Sequence, residues 1–257
     1  MLRKRIIFTL VYADDFFTQS RNFRLQKVGN INWLEKNYKF QGIAFSLDEL
    51  IVLNASKEKK DISGFANTLS RLVDDVFIPV AAGGGIRSIE DAKVLFDNGA
   101  DKIVLNSVLH TDINLVQELI FKYGSQSIVA SVDYKKVEDN LNVYIHNGTK
   151  KLDVELYDYV KYIENLNVGE IYLNSIDQDG TGFGYDLETV NKISTTSNIP
   201  IIIAGGAGNE KHLLSGLKID SISAVATANL FNFIGDGLPN ARKIILEKGL
   251  NIARWIK

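Results

Sequence analysis

The sequence predicts one α/β domain over residues 1–257, a (βα)8 TIM barrel. Three observations predict it. The chain has the length of one complete barrel, and short apolar runs alternate with segments of helical period along all of it. A glycine-rich string also occurs twice, as IPVAAGGG at 78–85 and IPIIIAGGAG at 199–208. This repeat predicts two half-barrels, at about 1–123 and 124–257.

The apolar runs are the candidate strands. Parallel strands that are buried on both faces read as continuous apolar stretches, as IIIA does at 201–204. The eight runs are Ile6–Val11, Glu49–Leu53, Ile78–Ala82, Lys102–Asn106, Ile128–Asp133, Glu170–Asn174, Ile201–Ala204 and Ser221–Ala226.

Capping residues mark the predicted helices between the strands. Ser88 and Asp186 each precede a stretch of helical period, and Gly99 follows the first of these stretches as a helix stop. The segment 134–152 is too long for a plain connection. Because it alternates in polarity and contains Asn147-Gly148, it predicts a small hairpin.

The composition excludes several classes of protein. A net charge of −2 gives no basic surface for nucleic acid. The first apolar run, 6–13, ends at two aspartates without a cleavage site, so it predicts a buried strand and not a signal peptide. No run approaches the roughly 18 apolar residues of a membrane span. We therefore expect a cytoplasmic protein without a membrane partner.

Cysteine is absent, which excludes disulfides, thiolate zinc sites and thiol nucleophiles. The three histidines, His110, His146 and His212, are far apart and lack the spacing of metal ligands. We expect each to be a surface or loop residue, and we expect neither a metal nor a cofactor.

The repeated glycine strings are candidate phosphate sites. Each lies between a predicted strand and a helix, where backbone N–H groups approach an oxyanion closely. Each is followed one strand later by a second candidate pair, so the pattern predicts a ligand with two phosphates. The alternative is that tight β/α turns require glycine for their geometry alone. The candidate residues are Gly84, Gly85, Asn106, Ser107, Gly205, Gly206, Ala228 and Asn229.

The loop 174–186 follows the sixth predicted strand and is polar and glycine-rich. Asp177, Asp179, Gly180 and Thr181 offer carboxylates, a hydroxyl and backbone donors at the mouth. Long loops in barrels are usually functional, and Asp179, Gly180 and Thr181 are therefore candidate substrate contacts. The alternative is a solvated loop that ends at the helix cap Asp186.

The strings PVAAGGGIRSIEDA, GADKIVLNS, GSQSIVASVD and GEIYLNSIDQDGTGFGYDLE resemble the cyclase subunit (HisF) of imidazole glycerol phosphate synthase. The resemblance covers essentially the whole chain, and the DGT-x-x-GYD loop is specific to that family. It implies a barrel that receives ammonia from a separate glutaminase through its bottom face. The ammonia is joined to a ribonucleotide with two phosphates, and an imidazole ring is closed.

The resemblance also implies two catalytic aspartates, at the ends of strands one and five. The second is Asp133, but the first position holds Val11, which the repeat places opposite Asp133. A family lysine after strand one corresponds to Gln19, and a family aspartate after strand two corresponds to Asn54. Valine cannot transfer a proton, so the paired-carboxylate mechanism lacks one half.

At the other end of the barrel, the resemblance implies a gate of four charges for ammonia. The corresponding residues, all with the family's charge, are Arg5, Glu49, Lys102 and Glu170. Asp101 corresponds to a residue that contacts the glutaminase. The alternative is a salt-bridge network that only closes the barrel base.

An intact gate with an incomplete catalytic pair is most similar to HisF paralogues of surface-sugar modification. The sequence therefore predicts an ammonia-channelling, glutamine-amidotransferase-type synthase subunit with Asp133 as its catalytic residue. Its expected partners are a HisH-like glutaminase, an ATP-pyrophosphatase-like protein that helps convert an acetamido sugar to its acetamidino form, and a phosphorylated small-molecule substrate. The alternatives are the histidine-pathway cyclase, a non-catalytic scaffold that activates a glutaminase, and a sugar-phosphate isomerase. The isomerase would also need two carboxylates.

Overall fold

The computed structural model describes residues 3–37, 46–57, 61–74, 76–228 and 237–254. These residues form twelve strands. In chain order they are β1 (Arg5–Ala13), β2 (Phe16–Arg21), β3 (Arg24–Gly29), β4 (Glu49–Asn54), β5 (Val80–Gly83), β6 (Lys102–Leu105), β7 (Ile128–Val137), β8 (Asn140–Ile145), β9 (Lys150–Glu155), β10 (Glu170–Ser175), β11 (Ile201–Ala204) and β12 (Ile222–Thr227).

Eight of these strands close a parallel barrel in the order β1-β4-β5-β6-β7-β10-β11-β12, and β12 pairs with β1 again. Each of the eight predicted runs coincides with one of them, so the predicted (βα)8 barrel is confirmed. β1 and β7 lie four strands apart in either direction. Their carboxyl ends therefore face each other across the mouth.

Nine described helices connect the strands on the outside of the barrel. They are α1 (Ile31–Asn37), α2 (Ile62–Asp74), α3 (Ile89–Asp97), α4 (Val108–Thr111), α5 (Ile113–Tyr123), α6 (Leu156–Asn165), α7 (Leu187–Ser194), α8 (Glu210–Leu217) and α9 (Gly237–Glu247). Within the described ranges, none of them has the length and apolar character needed to cross a bilayer.

The predicted helix boundaries at α3 and α7 are confirmed. The Ser88 side chain accepts the Asp91 N–H at 3.1 Å, and the Asp186 side chain accepts the Thr189 N–H at 3.2 Å. Each bond satisfies one of the free N–H groups at a helix start. Gly99 follows α3 with φ +97°, a conformation that suits glycine.

Side chains alternate between two apolar regions along each barrel strand. On β1, Ile6, Phe8 and Leu10 face the helices, whereas Ile7 points into the barrel. The interior is filled mainly by small and branched residues, as expected for a barrel of eight strands. Its buried members are Ile7, Ile51, Ala81, Val104, Val129, Tyr172, Ile202, Ala204, Ala224 and Ala226.

Two antiparallel hairpins extend the sheet at the mouth. The hairpin predicted within 134–152 is present: β7 continues to Val137 and pairs with β8, which pairs with β9. A second hairpin, β2–β3, follows β1 and was not predicted. Its turn uses Asn22 and Phe23 with φ +50° and +62°, so it lacks the glycine that usually marks a hairpin turn.

Candidate active site and charged ring

A cavity of about 840 Å³ opens at the carboxyl ends of the barrel strands. It brings together residues from Thr9 to Ala228, which lie on every strand of the barrel or in the loops that follow. Of the predicted site residues, it is lined by Gly84, Gly85, Asn106, Ser107, Asp133, Asp179, Gly180, Gly205, Gly206 and Ala228. Thr181 is not among its described lining residues, and Asn229 lies outside the described ranges.

The two glycine turns have matching conformations. Gly84 and Gly85 have φ +101° and +94°, and Gly205 and Gly206 have φ +90° and +102°. A Cβ on Gly84 would lie 2.1 Å from a backbone oxygen of Asn54, and one on Gly206 would lie 1.9 Å from a backbone oxygen. Close packing therefore accounts for the glycines by itself. That both turns line one cavity is the observation that favours phosphate binding.

Asp133 lies at the end of β7 and is only 7% exposed. Its Oδ2 accepts a hydrogen bond from Asn106 Nδ2 at 3.1 Å, and its Oδ1 accepts one from Asn174 Nδ2 at 3.2 Å. Burial raises the pKa of Asp133 to about 7, although the two amides oppose the shift. A carboxyl group with this pKa populates both protonation states near neutral pH, which suits general acid–base catalysis.

Val11 lines the cavity from the facing wall, on β1. Gln19 and Asn54, which stand at two further positions of the resemblance, also line it. The Asn54 Oδ1 accepts the Ser56 N–H at 3.1 Å and so holds the loop after β4. The facing wall therefore presents an aliphatic side chain and two amides to Asp133.

Two other carboxylates line the described part of the cavity, and both hold backbone. Asp112 accepts the Leu115 N–H at 3.1 Å at the start of α5. Asp179 accepts the Ser20 hydroxyl and the Phe23 N–H, and burial raises its pKa. Asp133 differs because its hydrogen bonds come from side-chain amides.

The loop 174–186 is anchored to the hairpins. The Asp177 side chain accepts the Lys136 N–H at 2.8 Å, and the Asp179 backbone oxygen accepts the Asn22 N–H at 3.0 Å. Thr181 donates its hydroxyl proton to the Gln178 backbone oxygen at 2.8 Å. Asp177 and Thr181 therefore shape the loop, whereas Asp179 and Gly180 face the cavity.

His146 lies at the cavity, where the sequence predicted only a surface or loop position. It sits in the β8–β9 turn, and its N–H donates to Ser107 Oγ at 3.1 Å. The Ser107 Oγ also lies 3.3 Å from His146 Nδ1. The predicted hairpin could have revealed this position, because it follows the fifth barrel strand and so begins at the mouth.

The four predicted gate residues form a closed ring at the amino ends of the barrel strands. Arg5 Nη1 lies 2.6 Å from Glu49 Oε2, and Arg5 Nη2 lies 2.5 Å from Glu170 Oε1. Lys102 Nζ completes the ring at 3.1 Å from Glu49 Oε1 and 3.0 Å from Glu170 Oε2. Two cations and two anions thus balance at the barrel base.

The barrel base contains a buried carboxyl group, on Glu49, and an exposed carboxyl group, on Asp101. Burial raises the pKa of Glu49, which is 2% exposed, while Lys102 and Arg5 oppose the shift. Asp101, the predicted partner contact, is exposed beside Lys102, and its side chain accepts the Val80 N–H at 2.8 Å.

Tyr172 and Thr9 form a buried polar pair between the ring and Asp133. Their hydroxyl oxygens lie 3.2 Å apart, and both residues line the floor of the cavity. β11 and β12 separate their strands. Tyr172 therefore reaches past the small inward side chains of Ala204 and Ala226 and crosses the bore.

Comparison with known proteins agrees with this geometry. Residues 21–234 match the family model described as "Histidine biosynthesis protein". The chain is 44% identical over 256 residues to a protein of Parasynechococcus marenigrum named provisionally as subunit hisF2 of imidazole glycerol phosphate synthase. This match covers 99% of the chain and 95% of that protein.

Two further relatives bear the name imidazole glycerol phosphate synthase subunit HisF. The Chlorobaculum tepidum protein is 34% identical, with 98% of this chain and 99% of that protein covered. The Prosthecochloris aestuarii protein is 36% identical, with 97% and 98% covered. This chain therefore belongs to the HisF-like family of histidine biosynthesis proteins.

Proposed function

We propose that this chain is the ammonia-channelling subunit of a synthase that works with a separate glutaminase on a phosphorylated substrate. One observation carries the proposal. A balanced ring of Arg5, Glu49, Lys102 and Glu170 stands at one end of the bore. At the other end is a cavity in whose described lining Asp133 is the carboxylate held by side-chain amides. The relatives' names are consistent with it, since they call those proteins subunits.

In this proposal, the bore would carry ammonia as a small neutral molecule. Above the ring, the interior side chains are mainly aliphatic, so a charged ammonium ion would lose its hydration without compensation. Neutral ammonia loses less hydration free energy than ammonium when it enters an apolar space. Because the chain has no cysteine, it lacks the thiolate that hydrolyses glutamine in such systems, and ammonia has to come from a partner or from solution.

At the mouth, the ammonia nitrogen would attack an electrophilic carbon with its lone pair. The new carbon–nitrogen bond leaves a proton on nitrogen, and the Asp133 carboxylate, which lines the cavity, would accept it. The leaving group departs with the electron pair of its bond to carbon. This reaction needs one proton acceptor, whereas the family's ring closure uses a second carboxylate where Val11 stands.

The reaction that fits one acceptor is amidination of an acetamido sugar for a surface polysaccharide. The amide oxygen would be activated by a third, ATP-pyrophosphatase-like protein, and nitrogen would replace it at the amide carbon. The complex would then comprise this barrel, a HisH-like glutaminase and the ATP-using protein.

The second candidate is the cyclase of histidine biosynthesis. It is favoured by the full-length similarity to proteins named HisF and by Asp133 with its two amide partners. The two candidates differ in whether the reaction can proceed with Val11 in place of the second carboxylate.

An assay with ammonium and the cyclase's ribonucleotide substrate separates them. We expect negligible imidazole product from the purified chain. Robust imidazole formation would overturn the amidination proposal in favour of the cyclase.

Co-purification with the tagged full-length chain tests the partners. Amidination predicts recovery of both a cysteine-bearing glutaminase and an ATP-pyrophosphatase-like protein. Stimulation of the glutaminase without any phosphorylated ligand would instead support a scaffold without a reaction of its own.

A further inference from the structure

The two glycine turns differ in the basic side chains around them. Three basic residues line the described cavity: Lys57 after β4, Arg87 after β5, and His146 in the β8–β9 turn. All three are on the side of the first turn, Gly84-Gly85. Among the described residues near the second turn, the cavity lining contains no basic side chain.

The β8–β9 turn is fixed over the first glycine turn at two points. The His146 N–H donates to Ser107 Oγ at 3.1 Å, directly after β6. Asn147 Nδ2 donates to the Ala55 backbone oxygen at 3.0 Å, directly after β4. The strand between these two anchors, β5, carries Gly84 and Gly85. His146 is therefore held beside the first turn by bonds to both neighbouring strands.

The backbone of this turn is compatible with the residues that it holds. His146 and Asn147 have φ +54° and +56°, and Gly148 has φ +75°. Histidine, like asparagine, is enriched among the non-glycine residues that adopt this left-handed conformation. The side chain is exposed to the cavity, so burial of the ring does not explain why histidine stands there.

His212, near the second turn, is used differently. Its Nδ1 accepts the Gly208 N–H at 3.1 Å, so the ring holds the backbone of the turn. It is not among the described lining residues of the cavity. The two turns thus each have a histidine nearby, but only His146 faces the space where a ligand would lie.

We infer that His146 is a phosphate-binding residue and that the first turn is the stronger of the two phosphate sites. The inference rests on the proposed function and deepens it. The imidazole would donate a hydrogen bond to a phosphate oxygen, and Arg87 and Lys57 would add positive charge. A substrate with a terminal phosphate would then dock with that phosphate at the first turn.

Histidine NMR with inorganic phosphate as the probe tests this inference directly. The chain has three histidines, so side-chain labelling gives three sets of imidazole signals. On phosphate titration, the His146 signals should shift. Those of His212 should move much less, because its ring is bonded within the protein. His110, which is exposed and is not among the described lining residues of the cavity, serves as the control.

The phosphate affinities of two matched variants provide a second test. His146→Asn keeps a residue that tolerates a left-handed backbone, so the turn should persist. We expect it to weaken phosphate binding about tenfold in calorimetry, as for the loss of one charge-assisted hydrogen bond. His110→Asn should leave the affinity unchanged.

The outcomes separate the inference from the proposed function. Normal phosphate binding with unmoved His146 signals and an unaffected His146→Asn variant would overturn the inference alone. No phosphate binding by the unaltered chain would count against the phosphate cavity itself, and so against both.

Discussion

At the amino ends of the barrel strands, Arg5, Glu49, Lys102 and Glu170 neutralise one another in a closed ring. At the carboxyl ends, Asp133 is a buried carboxylate whose neighbours are two amides and, across the mouth, Val11. The ring pairs each charge with two opposite charges and fixes the side chains in place. Burial of the Asp133 carboxyl raises its pKa into the range where protons move. The two ends should therefore respond in opposite ways when a charge is removed.

The largest effect is expected at the ring. Glu170→Gln leaves the two cations of the ring with one anion between them. We expect the free energy of unfolding in urea to fall by about 3 kcal/mol. Glu35→Gln, which breaks the exposed pair with Arg71, should cost less than about 1 kcal/mol. Equal losses in the two variants would contradict the comparison.

Removing the charge of Asp133 should stabilise the protein. Burial raises its pKa to about 7, above the value in an unfolded chain, so the folded state loses stability as the pH rises from about 4 to about 7. Asp133→Asn should therefore add about 1–3 kcal/mol to the free energy of unfolding at pH 8 and much less at pH 4.

The same variant should lose turnover, because asparagine cannot accept a proton. Phosphate affinity should be retained. A gain in stability that does not depend on pH, or a variant that remains active, would contradict the role given to this carboxylate.

Restoring a carboxylate opposite Asp133 tests whether Val11 is the reason why the catalytic pair is incomplete. Val11→Asp places a second negative charge in the cavity and should cost about 1–2 kcal/mol at pH 8, with a smaller cost at pH 4. In the ribonucleotide assay, we expect imidazole formation at least about tenfold above that of the unaltered chain. Val11→Asn is the matched control, because asparagine has nearly the same shape as aspartate but no charge. Equal imidazole formation by the two variants would show that a missing carboxylate is not what limits cyclase activity in this chain.

The smallest effect is expected between the two ends. Tyr172→Phe and Thr9→Val each remove one hydroxyl of the pair that crosses the bore. A double-mutant cycle in urea unfolding should give a coupling energy of about 1 kcal/mol or less. No measurable coupling would mean that the two hydroxyls do not bond in solution.

The barrel strands could be predicted because burial on both faces gives continuous apolar runs, and the caps at Ser88 and Asp186 mark helix starts chemically. The β2–β3 hairpin could not be predicted, because no residue of β3 is buried and the turn has no glycine. The repeat offered a clue: the predicted hairpin follows the fifth strand, and this one follows the first. The division into two half-barrel repeats itself stays a prediction.

The site residues also divide into those whose position could be predicted from the sequence and those whose position could not. Residues at strand ends, such as Asp133 and Asn106, converge because parallel strands end at one face. His146 and Arg87 reach the cavity from loops, and no periodicity places a loop residue in space. Asp177 and Thr181 show the reverse case, since polar loop residues that looked like ligand contacts hold the loop itself.

The two hairpins also meet above the cavity. A Cβ on Gly148, in the β8–β9 turn, would lie 2.7 Å from the Phe23 ring in the β2–β3 turn. These hairpins follow β1 and β7, on opposite walls, so their bridge passes between the two glycine turns. A monophosphate can reach either turn from its own side without disturbing the bridge. A molecule that spans both turns lies beneath it, so we expect its association rate to be lower than that of a monophosphate.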